Sequence, residues 1–180
     1  MNKALNFYKD YSSVFSVSAN RPPLSKMQIP DDYQFDVFVC LRSYSTGWAT
    51  WKDRWDRIDW SMDLFDKYKS NKSIIEALSR LGDDFAPMMQ MQEDGKIDSW
   101  AVRFGFIHFV HHAVAILPCN SYVTNIGFDG SGIHSGTVKN LYENDLSLSA
   151  KEPHLLDVVY EDKRIINAFY NVYTYKKRQL

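Results

Sequence analysis

The sequence predicts an α+β protein that is rich in helices and has only a few short strands. Apolar residues recur at helical spacing through the middle of the chain, from about residue 61 to residue 112. Segments with the pattern of a strand are few, and they lie mainly before residue 42. No strand runs into a glycine-rich turn and a helix, so the sequence predicts neither a P-loop nor a parallel nucleotide-binding sheet of its own.

Composition narrows the class of protein further. The 180 residues, the length of one domain or of part of a larger one, carry 21 basic and 22 acidic side chains, a balance that argues against a nucleic-acid partner. Cys40 and Cys119 are too few and too isolated for a disulfide scaffold or a zinc site, which favours a reducing compartment. The first residues do not resemble a signal peptide, and no apolar window is long enough to span a bilayer. We therefore expect a cytoplasmic protein without a transmembrane segment.

The first third of the chain predicts one helix and two strands. Residues 3–9 have the character of a short helix, and Val14–Ala19 alternates as a strand does. Three prolines between residues 22 and 30 predict a loop. The apolar run Phe35–Leu41 predicts the second strand.

The middle of the chain predicts three helices in succession. Residues 61–69 and 72–81 are short amphipathic segments. A third helix opens on Asp83 and Asp84, because acidic residues suit a helix N-terminus, and it stops at Gly95.

Capping residues, prolines and glycines predict the elements after residue 97. Asp98 or Ser99 is the expected N-cap of a helix that runs into the most apolar stretch of the chain. Ala113–Pro118 predicts a short strand that ends at its proline. The glycines of residues 125–136 predict a loop, and the pattern of residues 154–180 predicts one or two closing helices, the last of them amphipathic.

The segment GWATWKDRWDRIDW, residues 47–60, holds four of the five tryptophans of the chain. Trp48, Trp51 and Trp55 are spaced by three and four residues, which predicts one stripe on a helix. One interpretation is a core helix that buries its indoles. The other is that one or two rings line a sugar site, because the apolar C–H face of a pyranose stacks on an aromatic ring. The segment alone leaves both open.

The acidic turn LGDDF also has two interpretations. Asp83 and Asp84 follow Gly82, and a carboxylate at a helix start commonly accepts hydrogen bonds from free backbone N–H groups. Alternatively, a carboxylate at a fixed helix end acts as a general base that removes a proton from an attacking hydroxyl.

Four motifs in series resemble a known family. GWATWKDRW, GDD, GKIDSWAVRF and NIGFDGSGIHSG, in this order, resemble the C-terminal half of bacterial family 2 glycosyltransferases of polysaccharide biosynthesis, which have the GT-A fold. The match runs from near Ala4 to near Val138. It implies transfer of a sugar, with inversion, from a nucleotide-sugar donor to a saccharide acceptor. It also implies that residues 1–140 form the acceptor-side and base-carrying part, and that residues 141–180 form a variable helical tail.

The resemblance also implies a set of site residues. It assigns the catalytic base to Asp84, with Asp83 as its acidic neighbour at a position where glutamate is commoner. The substrate-binding residues that it implies are Gly47, Trp48, Trp51, Trp100, Arg103 and Asp129, and its candidate metal ligand is His134.

Several of these assignments have alternatives. Arg103 suits either a bidentate contact to a diphosphate or a salt bridge. His134 is either a ligand or a loop histidine without that role. The group His108, His111 and His112 is either a metal cluster or a set of core and interface histidines.

One departure from the family matters most. The nucleotide-binding sheet and the Asp-x-Asp metal motif of such enzymes precede the region that is matched here, and the complete enzyme would use Mn²⁺ or Mg²⁺. We therefore expect a fragment or truncated form that is inactive alone and that forms a homo-oligomer or binds a partner chain supplying the missing half. The alternatives are a non-catalytic carbohydrate-binding or scaffold protein with the same half-fold, or an unrelated α-rich interaction protein.

Overall fold

A computed structural model describes residues 1–126, 146 and 152–174 of the chain. These residues form seven α-helices, one 3-10 turn and a four-stranded mixed sheet, which confirms the α+β class. The strands are β1 (Val14–Ser18), β2 (Val37–Cys40), β3 (Trp48–Thr50) and β4 (Val114–Pro118). The helices are α1 (Asn2–Tyr8), α2 (Lys52–Trp55), α3 (Asp63–Tyr68), α4 (Lys72–Leu78), α5 (Phe85–Glu93), α6 (Trp100–Val110) and α7 (Lys163–Val172), and the 3-10 turn is Ser79–Leu81.

The strand order in the sheet is β2-β4-β1-β3. The two inner strands, β1 and β4, run parallel, and each outer strand runs antiparallel to its neighbour. Every residue of β4 is buried, as expected for an apolar run that is covered on both faces of a sheet. The predicted strands at 14–19, 35–41 and 113–118 are therefore confirmed, within a residue or two at each end.

A register shift in β1 places the neighbouring side chains of Phe15 and Ser16 on the same face of the sheet. The shift falls between Val14 and Ser16. Val14 and Val17 pack into the core cluster on one face, whereas Phe15 packs into a separate cluster with α6. On that second side Ser16 Oγ lies 3.0 Å from Nε2 of His108. An extra residue in a strand has this effect, because it breaks the alternation of the side chains.

Helices cover both faces of the sheet. On the first face, Tyr8 of α1 packs against the strands, and its hydroxyl accepts a hydrogen bond from the backbone N–H of Leu156 at 2.9 Å. On the second face, Ile165 and Phe169 of α7 pack against Phe38 and its neighbours in β2 and β4. The predicted closing helix is thus part of the main core. The predicted boundary at residue 140 lies outside the described residues.

A layer of short helices, α3 to α5, packs against α6 around Phe65, Phe85 and Met89. Ser99 caps α6, because its Oγ accepts from the backbone N–H of Val102 at 3.4 Å, as the sequence predicts. None of the helices in the described residues is both long enough and apolar enough to cross a membrane.

The predicted helical stripe of tryptophans is wrong. Trp48 begins strand β3 and pairs with Ser18, Trp51 has extended backbone (φ −103°, ψ 152°), and Trp55 ends the four-residue helix α2. Pairing with β1 holds Trp48 in a strand, so the three tryptophans do not share one helix. Tertiary pairing outweighs the local helical pattern here.

Candidate functional site

Two of the predicted sugar-binding tryptophans meet across the fold. The ring of Trp48 stacks on Trp100 of α6 with centroids 4.6 Å apart and planes at 23°. Trp55 contacts both rings at 5.8 Å, and Phe104 closes the group from below. The three indoles are half-buried, so most of their area serves the core that joins β3 to α6.

Trp51 lies in a different cluster, on the first face of the sheet with Val14 and its neighbours. The guanidinium of Arg54 covers its ring at 4.3 Å. Arg54 is itself buried and donates a hydrogen bond to the backbone carbonyl of Lys9 at 2.6 Å. The segment therefore splits its indoles between two packing environments, and Trp48 and Trp51 belong to separate ones.

Gly47 occupies a position that requires a glycine. Its φ of +58° lies in the left-handed region, and a Cβ there would come within 2.6 Å of a methyl group of Val123. Its carbonyl accepts from the N–H of Ala19 at 2.7 Å, which ties the entry of β3 to the end of β1. The geometry gives Gly47 a structural reason to be present, whatever it contacts in a ligand.

Asp84 lies directly before α5, with its side chain buried. Its Oδ1 accepts from Nη1 of Arg42 at 2.8 Å, and its side chain makes no capping hydrogen bond to the first turn of α5. Gly82 makes room for this carboxylate, because a Cβ at that residue would stand 2.6 Å from Oδ1 in a backbone of φ +125°. Asp83, the second member of the acidic pair, is half-buried.

Arg42 connects Asp84 to a polar cavity. Its guanidinium lies 5.1 Å from the centroid of the Phe85 ring and 4.9 Å from that of Tyr173. Together with these contacts, the ion pair holds the planar group in one orientation. Arg42 is among the described residues that line a cavity of about 280 Å³, and Asp84 is not. The hydroxyl-bearing residues of the same lining are Ser43, Tyr44, Ser45, Thr46, Ser99 and Tyr173.

Arg103 faces a second cavity on the other side of α6. Its Nη1 donates to Oδ1 of Asp98 at 3.0 Å, so the salt-bridge alternative is present in the fold. Its Nε is buried and has no hydrogen-bond acceptor among the described residues. The guanidinium lies 5.7 Å from the centroid of the Trp60 ring, at the edge of a cavity of about 350 Å³.

His108 of α6 and the two histidines that follow the helix do not form a metal site. His108 is fully buried, with Nδ1 2.8 Å from the carbonyl oxygen of Phe104 and Nε2 facing Ser16. Nδ1 must therefore carry the proton, and Nε2 accepts from the serine hydroxyl. Burial lowers the pKa of His108 to about 4. His111 and His112 are exposed.

No group of three or more potential ligands among His, Cys, Asp and Glu converges within the described residues. The predicted metal ligand His134 and the predicted substrate-binding residue Asp129 lie outside those residues. The assignments of His134 and Asp129 therefore stay predictions.

Two functional candidates were missed from the sequence. Arg42 directly follows the apolar run Phe35–Leu41, and a charged residue at the end of a buried strand is the available signal. Trp60 stands between Asp59 and Ser61, outside the apolar spacing of the other tryptophans, which is a signal of exposure. Comparison of the chain with protein-family models, curated proteins and solved structures found no match.

Proposed function

We propose that the chain is the acceptor-side half of an inverting glycosyltransferase of the GT-A type, in which Asp84 is the catalytic base. In this proposal another half supplies the site for the nucleotide-sugar donor. The resemblance of the four motifs supports the class of reaction. The observation that carries the assignment of the site is the buried Asp84 carboxylate, held by an arginine that lines a cavity rich in hydroxyl groups.

The chemistry requires one proton acceptor on this side of the reaction. The acceptor hydroxyl oxygen attacks the anomeric carbon of the donor sugar, and the bond from that carbon to the diphosphate oxygen breaks. The hydroxyl proton passes to Asp84. Because Arg42 lines the cavity, its guanidinium must leave the carboxylate before a hydroxyl can approach Asp84. A divalent cation would neutralise the departing diphosphate on the donor side, and nothing in this step depends on it.

The test is a sugar-transfer assay on the full chain, first alone and then mixed with a donor-binding half that carries an Asp-x-Asp motif. We expect no turnover above background for the chain alone and measurable transfer in the mixture. Asp84→Asn should lower kcat at least about 100-fold, as the loss of a general base does, whereas Asp83→Asn should lower it less than about tenfold.

Asp84→Asn also leaves the half-buried Arg42 without its carboxylate partner, which costs at most about 3–5 kcal/mol, enough to destabilise the chain severely. The double variant Arg42→Met with Asp84→Asn removes both charges and serves as the folded control, checked by its thermal midpoint. Full activity in either Asp84 variant would overturn the proposal. So would the absence of transfer in the mixture while both halves are folded.

A second candidate function is a carbohydrate-binding or scaffold protein without catalysis. The observation that favours it is the ion pair itself, because Asp84 is 3% exposed and bonded to a cation, as in a structural pair. In that case the double variant keeps wild-type saccharide binding, and no donor half elicits transfer.

A further inference from the structure

We propose that the cavity beside Trp60 is a binding subsite for a neutral hexopyranose unit of the acceptor saccharide. This inference rests on the proposed function for the identity of the ligand, and it names a surface of which the resemblance assigns only Arg103. The cavity lies between the start of α3, the end of α5 and the outer side of α6, with a volume of about 350 Å³. That volume suits one monosaccharide unit.

Trp60 supplies the stacking surface. Trp60 is 50% exposed, which is unusual for so large an apolar ring. The other four tryptophans are all less exposed. Trp55 makes an edge contact to the Trp60 ring, with the centroids 5.6 Å apart and the planes at 66°. This contact supports the Trp60 indole at the surface. An aromatic ring that is fixed by its neighbours and open to solvent can stack on the C–H face of a pyranose at little cost in side-chain entropy.

Hydrogen bonds hold the loop that carries Trp60 in one conformation. The carboxylate of Asp59 accepts from the hydroxyl of Ser61 at 2.7 Å and from the backbone N–H of Leu64 at 2.8 Å. Met62 adopts the left-handed region with φ 67°, and its side chain is buried. A non-glycine residue keeps such a conformation only where its surroundings hold it there. The rim of the cavity next to Trp60 is therefore fixed before any ligand binds.

The polar side of the cavity offers both acceptors and donors. The carboxylates of Asp63, Asp66 and Glu93 and the guanidinium of Arg103 line it. Lys69 bonds to both Asp66 and Glu93, at 2.6 and 2.8 Å, and sets their positions. The Nη1 of Arg103 donates to Asp98, whereas its buried Nε has no acceptor among the described residues, so the protein satisfies the guanidinium only in part. Vicinal hydroxyls of a sugar match this mixture of carboxylates and a planar donor.

The charge of the lining selects among saccharides. Three carboxylates and one guanidinium line the cavity, and the Lys69 ammonium pairs with two of the carboxylates, so these five charges sum to −1. A uronic acid would bring a further negative charge to this surface, and like charges repel most strongly at low ionic strength. Neutral hexoses carry no such penalty, so the subsite should bind them in preference to acidic sugars.

Saturation-transfer and chemical-shift NMR on the full chain, without donor or partner, tests the subsite. The probes are the neutral trisaccharides maltotriose and cellotriose, with trigalacturonate as the acidic comparison. We expect at least one neutral probe to bind at millimolar concentration, and trigalacturonate to bind at least about tenfold more weakly at low salt.

Trp60→Ala should weaken the neutral probe at least about tenfold, and Trp60→Phe, which keeps a ring, should restore most of the affinity. Tyr160→Ala is the matched control, because it truncates an aromatic side chain of similar exposure, 43%, outside this cavity. All three variants must retain the thermal midpoint of the parent within a few degrees for the comparison to hold. If Trp60→Ala loses that midpoint, the Trp60→Phe variant and the shifts of the Trp60 indole signal in the parent decide the question.

Unchanged binding in Trp60→Ala, or no binding of either neutral probe, would overturn the subsite. That result leaves the assignment of Asp84 standing if Asp84→Asn still abolishes transfer. Conversely, binding that depends on Trp60 together with normal transfer in Asp84→Asn would preserve the subsite and refute the base.

Discussion

Arg21 shows how a single side chain can hold two loops of this fold together. It is fully buried, and burial lowers its pKa. Its guanidinium donates to the backbone carbonyls of Pro22 and Met27 in the loop after β1, and to that of Cys119 after β4, the last at 2.8 Å. One planar group thus satisfies three carbonyls that neighbouring secondary structure does not reach.

The first prediction at this scale is that Arg21→Met destabilises the chain by about 2–3 kcal/mol. Methionine fills part of the space and removes a buried charge, but buried carbonyls lose their donor, and each unsatisfied group costs about 1–3 kcal/mol. Urea unfolding at neutral pH measures the change. Lys67→Met, at an exposed site, should shift stability by less than about 0.5 kcal/mol. An Arg21 variant as stable as the parent would contradict the prediction.

The second prediction concerns His108 and pH. Its pKa is about 4 in the folded chain, against 6.5 for an ordinary histidine. The unfolded chain therefore binds more protons between these values, and the stabilisation from neutral His108 is complete above 6.5 and lost as the pH falls toward 4. We expect a loss of about 2 kcal/mol between pH 7 and pH 5 from this residue.

His108→Gln should remove that part of the pH dependence, because glutamine does not titrate. His112→Gln, an exposed site just beyond the same helix, should lose stability with falling pH as the parent does. Urea midpoints at the two pH values measure both variants. An unchanged slope in His108→Gln would show that burial does not depress the titration.

At the scale of elements, the contact between α5 and α6 depends on a glycine. Gly105 lies in the middle of α6, where glycine is unfavourable by about 1 kcal/mol relative to alanine. A Cβ there would come within 2.8 Å of the ring of Phe85, which is buried and packs under Arg42. The close approach of the two helices accounts for the residue, and it places α5 so that Asp84 reaches Arg42.

The third prediction is that Gly105→Ala destabilises the chain by about 1–2 kcal/mol, although it raises helix propensity. Overpacking a fixed ring costs more than the gain in backbone entropy. Phe85→Leu provides space, so the double variant should be more stable than the sum of the two single changes predicts, by at least about 0.5 kcal/mol. Additive effects in a thermal or urea series would mean that the ring does not limit this position.

At the scale of the whole molecule, the carboxyl ends of the parallel strands β1 and β4 open into a crevice. Its volume is about 470 Å³, and its walls include Val17, Ile116, Pro118 and Leu155. Tyr122 stands at its rim with 45% of its surface exposed. Apolar surface of this kind commonly marks an interface, and a crevice at this edge of a sheet is a frequent binding position.

The fourth prediction is that the chain self-associates at high micromolar concentration unless a partner is present. Tyr122→Asp should weaken that association, because it places a charge at the rim of the apolar crevice. Tyr160→Asp, at a site of similar exposure, should not. Light scattering over a concentration series makes the measurement, and a monomer throughout the series would count against both the interface and the expectation of a missing half.

Local patterns were sufficient for the elements that depend on neighbours in sequence. The cap at Ser99 and the strand Val114–Pro118 follow from side chains and breakers within a few residues, and both are present. The conformation of Trp48 could not be predicted in this way, because strand β3 exists only through its pairing with Ser16–Ser18 of β1. The tryptophans have helical spacing in the sequence, but pairing with the distant strand β1 holds the backbone at Trp48 extended.

The sequence by itself determined the α+β class, most helix bounds and the choice of Asp84 and Arg103 as chemically interesting groups. Only the tertiary structure decided what those groups contact: Arg42 for the carboxylate, 42 residues earlier in the chain, and the open ring of Trp60 for the guanidinium. The physical reason is one of range. Backbone propensity and capping act over about one helical turn, whereas an ion pair or a cavity wall depends on how the sheet and helices pack, which no short stretch of residues encodes.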